Sequence, residues 1–108
     1  MTTITPRQTC ELLERESEAL LLLDCRTPEE HEVARIEGSR LLPMQEIPQR
    51  LDELEPHREQ PIVVYCHAGV RSQRVTDYLL QQGFTDVRSM VGGIDRWSVE
   101  VDPQVPRY

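Results

Sequence analysis

The sequence lacks the features that would assign it to several classes of protein. It has no run of about 18 apolar residues, so no transmembrane helix is expected. Residues 1–5 do not combine a basic region with an apolar stretch, so no secretory signal is expected either. Lys and Arg together number 12 against 19 Asp and Glu, which gives a net charge of −7. A surface with this charge disfavours nucleic acid and anionic lipid as partners.

Cysteine is also scarce, and no two cysteines have CxxC spacing. The sequence has 3 of them, at Cys10, Cys25 and Cys66. An odd number of cysteines without a signal sequence is typical of reduced thiols, which predicts a cytoplasmic protein without a disulfide framework. The histidines are not spaced as metal ligands, so no metal site is expected. His31 and His57 are expected at the surface.

What is present is an alternation of helix and strand signals along 108 residues, the usual size of one domain. Thr5-Pro6-Arg7-Gln8 has the form of a capped helix start, and Thr27 begins a second one. Apolar runs at 19–23 and 61–65 are typical of strands covered on both faces. The other signals predict helices at 6–15, 47–55 (ended by Pro56) and 71–82, short strands at 41–42 and within 84–90, and a helical turn at 92–97. This alternation predicts an α/β domain with a mainly parallel sheet.

Two of the predicted strand ends carry side chains suited to chemistry, and parallel sheets form their sites at such ends. Asp24-Cys25-Arg26 follows one strand, and Cys66–Ser72 follows another and leads into a helix. A tight loop before a helix can aim several main-chain N–H groups and the positive end of the helix dipole at one point. Such an anion nest would favour the nucleophilic thiolate of Cys66. Gly69 fits a position that needs positive φ or a close approach of main chain.

At these residues the sequence resembles the single-domain rhodanese-like sulfurtransferases. The loop Cys66–Ser72 is similar to the family's active-site loop, and Asp24-Cys25-Arg26, followed by Glu30, is similar to its Asp-Val-Arg element. Residues 83–87 resemble its helix-to-strand turn, and residues 92–97 resemble its closing Gly-Gly-x-x-x-Trp motif. The similarity spans about residues 3–98 of a single predicted domain, 1–108, and leaves 99–108 as an extended tail.

The resemblance implies a five-stranded, mostly parallel sheet flanked by helices on both faces. It implies that Cys66 accepts a sulfane sulfur from a donor such as thiosulfate and passes it, as a persulfide, to cyanide, a thiol or a protein. It implies no cofactor, and a monomer is the default for a chain of this size. The loop residues that it implies bind substrate and persulfide are His67, Ala68, Gly69, Val70, Arg71 and Ser72.

The sequence departs from related patterns in three places. The phosphatases and arsenate reductases of this fold have one more residue between cysteine and arginine than the four found here, so the short loop favours sulfur over phosphate. His67 stands where the family often has a basic residue, which weakens the case for thiosulfate. A histidine could donate a hydrogen bond or carry charge at lower pH, or simply face solvent. Residues 34–39 replace a Gly-His-Ile-Pro-Gly-Ala pattern; Gly38 keeps the turn, and Arg35 could alter the rim of the site.

Several roles stay open at this point. Asp24 and Arg26 either position the Cys66 loop or form a fold-stabilising salt bridge, and the salt bridge is favoured. Cys25 could resolve a persulfide or sulfenic acid on Cys66 by forming a disulfide, or be a small core side chain. Arg71 could bond to the carbonyl groups of its own loop or face the substrate. Cys10 and Trp97 are expected in the core.

Three other functions use the same fold. A sulfur-relay carrier would be loaded by a cysteine desulfurase and would react poorly with thiosulfate. A non-catalytic binding domain would not need the intact Cys66 loop. A redox sensor would form a disulfide between Cys66 and Cys25 after mild oxidation.

Overall fold

The apolar runs of the sequence form the centre of a parallel sheet. A computed structural model describes residues 2–16 and 18–108. In chain order the elements are β1 (Thr3–Ile4), α1 (Pro6–Glu16), β2 (Leu21–Asp24), α2 (Pro28–Val33), β3 (Arg40–Leu41), two 3-10 helices (Met44–Glu46 and Leu51–His57), β4 (Ile62–Tyr65), α3 (Val70–Gln81), β5 (Val87–Met90) and α4 (Gly93–Glu100). None of the helices described is long and apolar enough to cross a membrane.

The 5 strands lie in the order β1-β5-β4-β2-β3, and every neighbouring pair is parallel. The predicted five-stranded architecture is therefore confirmed, and the sheet is wholly rather than mostly parallel. The edge strand β1 has only 2 residues, too few to carry a periodicity from which a strand could be recognised. Central position gives β4 a strand on each side, so the loop that follows it lies between two neighbouring strand ends.

Alternate residues of the central strands face opposite sides of the sheet, and each side has its own core. One side is covered by α3 and the second 3-10 helix, and the other by α1 and α4, which confirms helices on both faces. The first core contains Leu21, Leu23, Leu54, Ile62, Val64, Val75 and Leu79 among others. The second contains Leu12, Leu22, Val63, Tyr65, Ile94 and Trp97 among others.

Both predicted helix starts form reciprocal capping boxes. The Thr5 hydroxyl accepts from Gln8 N at 3.0 Å, and the Gln8 side chain accepts from Thr5 N at 3.0 Å. At α2, the Thr27 hydroxyl accepts from Glu30 N at 3.2 Å, and the Glu30 carboxylate accepts from Thr27 N at 3.2 Å. Each box satisfies main-chain donors that the first helical turn leaves unpaired. The second box also fixes the carboxylate of Glu30 near the carboxyl end of β2.

The prediction of a continuous helix over 47–55 is wrong. The segment instead forms a turn over 47–50 and then a 7-residue 3-10 helix, and Pro56 lies inside that helix rather than ending it. Proline has no N–H to donate to the carbonyl four residues earlier, which disfavours an α-helix here. The apolar spacing nevertheless identifies core side chains correctly, because Ile47 and Leu54 are fully buried.

The segment expected to be extended from residue 99 begins with the last turn of α4, which reaches Glu100. Beyond it the chain turns: Asp102 N donates to Trp97 O at 3.0 Å, and Val105 N donates to Asp102 O at 3.1 Å. Val101 and Val105 pack against the core that contains Trp97. Residues 101–108 are called the strap below, because they run back toward the Cys66 loop.

Candidate active site

The two chemistry-bearing strand ends lie side by side. Asp24 of β2 is in register with Tyr65 of β4, so Cys25 and Cys66 are the next residues of two neighbouring strands. Cys25 N donates to Tyr65 O at 3.2 Å, which extends the ladder one residue past the strands. Both segments therefore lie together at the carboxyl end of the sheet.

Main-chain amides of the loop point at the sulfur of Cys66. Gly69 N lies 3.0 Å from Cys66 Sγ, and Ser72 N lies 3.4 Å from it. Gly69 has φ of 109° and immediately precedes α3, a helix of 12 residues. This left-handed conformation, which glycine adopts without strain, turns its N–H toward the sulfur. The sulfur therefore sits over the N-terminus of α3, where unpaired amides and the helix dipole favour a negative charge.

The carbonyl groups of the same loop are held by α4. Ile94 N donates to Cys66 O at 2.9 Å, and Asp95 N donates to His67 O at 3.1 Å. Gly93 has φ of 60°, and a β-carbon there would collide with both carbonyl oxygens. With these carbonyls bonded to α4, the loop is free to turn amides inward. The Gly-Gly signal at 92–93 is thus part of the site.

A pair of buried hydroxyl groups lies behind the sulfur. Ser72 Oγ is 3.5 Å from Cys66 Sγ and 2.7 Å from Ser89 Oγ. Both serines are buried, at 0% and 2% exposure. A chain of two hydroxyls can donate toward a sulfur anion, with Ser89 donating to Ser72 and Ser72 donating to Cys66. Sequence reasoning missed Ser89, because it lies in the short strand Val87–Met90 next to the half-buried Arg88, and a second polar residue there gives little sign of burial.

Arg71, expected to bond to its own loop or to face the substrate, is paired with Glu30. Its guanidinium donates two hydrogen bonds, of 2.7 and 3.0 Å, to the carboxylate oxygens. These bonds lower the pKa of Glu30 well below its usual range, against the opposing effect of partial burial. The pair joins the start of α3 to α2 and so braces the far end of the Cys66 loop.

Asp24 and Arg26 form a buried ion pair, which agrees with the favoured salt-bridge interpretation. The pair has bonds of 2.8 Å from Arg26 Nε and Nη2, and both side chains are 0% exposed. Arg26 also donates to Ala34 O at 2.5 Å. His31 Nδ1 lies 2.7 Å from the same Asp24 carboxylate. Both histidines expected at the surface are half-buried: His31 is 18% exposed beside this buried carboxylate, and His57 lies beside Gln60.

The two remaining cysteines differ from Cys66 in their surroundings. Cys25 Sγ is buried, 3.5 Å from Tyr65 O, and burial raises the pKa of this thiol far above its usual value. It therefore stays protonated, which disfavours a nucleophilic role. Cys10, expected in the core, is half-buried and packs against the core that contains Trp97, with its sulfur 3.6 Å from a Glu14 carboxylate oxygen. Trp97, at 5% exposure, packs in the core as expected.

His67 contacts the strap. Its ring lies against the Tyr108 ring, with centroids 4.4 Å apart and planes inclined at 61°. His67 Nδ1 is buried without a hydrogen-bond partner in the described part of the chain.

Arg35, considered as a rim residue, instead lines a surface cavity with Cys10 and Val105 that includes no residue of the Cys66 loop. Within residues 2–16 and 18–108, no group of His, Cys, Asp or Glu side chains is arranged to hold a metal ion.

A parallel α/β domain whose central strand ends in an amide-bound cysteine defines a class of folds with a cysteine in an anion-binding loop, and the comparisons identify the family. The sequence model described as Rhodanese-like domain matches residues 5–100. This chain belongs to the rhodanese-like domain family.

Relatives and solved structures agree. The chain is 36% identical over 104 residues to the "Thiosulfate sulfurtransferase GlpE" of Pseudoalteromonas translucida, covering 96% of this chain and 95% of that protein. It is 40% identical over 83 residues to a "Sulfurtransferase" of Allochromatium vinosum, covering 77% and 76% of the two chains. The crystal structure of a rhodanese-related protein of Thermoplasma volcanium superposes over 100% of both chains, with a TM-score of 0.83 and 28% identity.

Proposed function

We propose that this protein is a sulfurtransferase that carries sulfane sulfur as a persulfide on Cys66. Sulfurtransferase activity in general is supported by its relatives. The observation that carries the assignment to Cys66 is the pair of amides, Gly69 N and Ser72 N, at 3.0 and 3.4 Å from its sulfur. Amide donors favour a sulfur anion over a neutral thiol, and they favour a persulfide anion for the same reason.

In the loading step the Cys66 thiolate attacks the outer sulfur of thiosulfate. A new S–S bond forms on Cys66 while the S–S bond of thiosulfate breaks, and sulfite leaves with the electron pair. One thiolate and one dianion become one persulfide anion and one dianion, so charge is conserved. The negative charge moves outward by one sulfur, and the nest holds a single charge throughout.

In the unloading step a nucleophile attacks the outer sulfur of the persulfide. Cyanide forms a C–S bond and leaves as thiocyanate, while the S–S bond to Cys66 breaks and the thiolate is restored. A thiolate acceptor forms a new persulfide in the same way. The amides of Gly69 and Ser72 stabilise the departing Cys66 thiolate, which lowers the barrier to bond cleavage.

One observation favours a relay carrier as the second candidate. Arg71 is the only arginine of the 66–72 loop, and its charge is matched by Glu30 at 2.7 Å. The residue after the cysteine is His67 rather than a permanent cation, and the chain carries a net charge of −7. A small dianion such as thiosulfate therefore meets little attraction, whereas a protein persulfide made by a cysteine desulfurase could dock by its surface.

The deciding experiment is the intact mass of the pure protein after incubation with thiosulfate, beside a Cys66→Ser control. A gain of one sulfur atom that dithiothreitol removes, and that is absent from the control, supports the persulfide with thiosulfate as donor. If no sulfur is gained, the incubation is repeated with a cysteine desulfurase and free cysteine. Sulfur gained only there supports the relay carrier. No gain with either donor contradicts the proposed function.

A further inference from the structure

The strap is tied down along its length. Val101 and Val105 are half-buried and pack against the core that contains Trp97. Arg107 donates to the two oxygens of Asp95 at 2.9 and 3.2 Å. Asp95 is also the residue whose amide holds the carbonyl group of His67. These contacts place the last residue of the strap, Tyr108, next to the Cys66 loop.

Tyr108 contacts the loop near its start and, through one carboxylate, near its end. Its ring lies on His67, which directly follows Cys66. Its hydroxyl donates to Glu30 Oε2 at 2.8 Å, and Glu30 in turn holds Arg71. The hydroxyl accepts from Arg26 Nη1 at 2.7 Å. Burial raises the pKa of Tyr108, so the phenol stays neutral and able to donate.

We propose that Tyr108 is a specificity-determining residue that limits the size of the molecule reaching the Cys66 sulfur, and so limits which acceptors remove the sulfur. As a statement about acceptors, the proposal rests on the proposed function above; as a statement about access, it does not. Cys66 is only 1% exposed, whereas Tyr108 is 43% exposed at the surface beside its loop. The Tyr108 ring contacts His67 on one side of the loop, and its hydroxyl is bonded to Glu30, which holds Arg71 on the other side.

The consequence is a difference between small and large acceptors. Cyanide is linear and two atoms long, and it passes beside a fixed phenol. A tripeptide thiol such as glutathione must bring bulk to the mouth of the loop, and it needs the ring displaced. Displacement breaks the bonds to Glu30 and Arg26 and the contact with His67. Those contacts therefore slow the transfer of sulfur to glutathione more than the transfer to cyanide.

The test compares wild type, Tyr108→Ala, Tyr108→Phe and the strap control Gln104→Ala, whose side chain is exposed. Each protein is loaded with sulfur, mixed with cyanide or glutathione, and followed by intact mass against time. We expect Tyr108→Ala to speed unloading to glutathione by roughly five-fold or more relative to cyanide. Tyr108→Phe, which keeps the ring but loses both hydroxyl bonds, should fall between, and Gln104→Ala should match wild type. An unchanged glutathione-to-cyanide ratio in Tyr108→Ala would overturn the proposal.

A second measurement keeps this inference separate from the proposed function. Alkylation of Cys66 is compared for iodoacetamide and the larger fluorescein maleimide, with peptide mapping to distinguish Cys66 from Cys10. Tyr108→Ala should raise the maleimide rate relative to iodoacetamide, even if no sulfur is ever loaded. An equal ratio in the variant and wild type contradicts the role of Tyr108. Failure to gain sulfur contradicts only the proposed function.

Discussion

The main-chain amide of Ile94 donates a 2.9 Å hydrogen bond to the carbonyl oxygen of Cys66. The contact links a helix near one end of the sequence to the candidate nucleophile at the end of the central strand. It depends on Gly93, because a side chain there would collide with the carbonyl groups of Cys66 and His67.

Replacement of Gly93 by Ala should therefore lower the free energy of unfolding by more than an unfavourable positive φ alone would. The variant meets both an unfavourable positive φ and a collision with main chain, so we expect a loss of about 2 kcal/mol or more in unfolding free energy. Urea denaturation measures this. Persulfide yield on Cys66 should fall with it, because the collision displaces the loop.

Gly38→Ala is the matched control for that prediction. Gly38 has φ of 85°, but no atom lies within 4 Å of the position that a β-carbon would take there. The substitution therefore isolates the cost of the left-handed conformation, about 1 kcal/mol. Persulfide yield should be unchanged in this control. If Gly93→Ala behaves like Gly38→Ala in both measurements, the close approach of α4 to the loop is not important.

The two hydroxyl groups behind the sulfur predict a non-additive pair of substitutions. Ser72→Ala leaves Ser89 Oγ buried without its partner, and Ser89→Ala removes the partner of Ser72, so each should cost about 1–2 kcal/mol. The double variant should cost less than the sum, because it leaves no orphaned hydroxyl. Denaturation of the four proteins measures the coupling, and strict additivity would contradict it. Ser72→Ala should also slow sulfur loading more than Ser89→Ala, since only Ser72 approaches Cys66 Sγ.

The Glu30–Arg71 pair predicts a pH-dependent contribution to stability. The pKa of Glu30 is lowered in the folded protein. The contribution is therefore complete above the ordinary glutamate pKa of about 4.3, and it is lost as pH falls toward the folded value. Glu30→Gln should destabilise the protein by about 1–2 kcal/mol at pH 7, because both side chains are partly exposed. The difference in unfolding free energy between variant and wild type should become smaller as the pH is lowered from 5 toward 3.

Glu46→Gln provides the control for the carboxylate. Glu46 forms a surface ion pair of 2.8 Å with Arg50, not with a residue of the Cys66 loop. Its substitution should change stability far less at every pH. A constant difference between Glu30→Gln and wild type across the pH range would show that the charge of Glu30 is not what stabilises the loop.

Cys25 should prove dispensable for sulfur transfer. Because its thiol is buried and its pKa is raised, it remains protonated when Cys66 reacts. Cys25→Val should load sulfur at a rate within about two-fold of wild type. Mild peroxide treatment followed by non-reducing peptide mapping should show no Cys25–Cys66 disulfide in wild type. Detection of that disulfide would instead favour a redox sensor.

Much of this architecture is accessible from sequence because local signals and fold agree. The runs at 19–23 and 61–65 contain the strands Leu21–Asp24 and Ile62–Tyr65, which are buried on both faces, and both threonine caps form as their spacing predicts. The 3-10 helix at 51–57 is not accessible in the same way. Its apolar spacing also fits an α-helix. Whether the segment forms an α-helix or a 3-10 helix depends on its prolines, whose effect varies with their position.

The residues of the site also differ in whether the sequence alone identifies them. The Cys66 loop and Gly69 can be recognised because strand, cysteine, glycine and helix follow one another in sequence. Ser89 and the position of Tyr108 cannot be recognised, because each depends on a partner distant in sequence. His31 and Asp24 are close in sequence, but their contact depends on how α2 is placed against the end of β2. A histidine in a short polar helix gives no sign that a buried carboxylate lies beside it.

The bonds from α4 to the Cys66 loop also bear on biosynthesis. During synthesis, Cys66 leaves the ribosome before Ile94 and Asp95 have been added to the chain. Tyr108, which accepts a hydrogen bond from Arg26, follows that residue by 82 positions. Until α4 docks, the carbonyl groups of Cys66 and His67 lack these partners, and the nascent cysteine is an ordinary thiol. Chemical labelling of Cys66 therefore reports the docking of α4, because α4 holds the carbonyl groups of the loop that places amides at the sulfur.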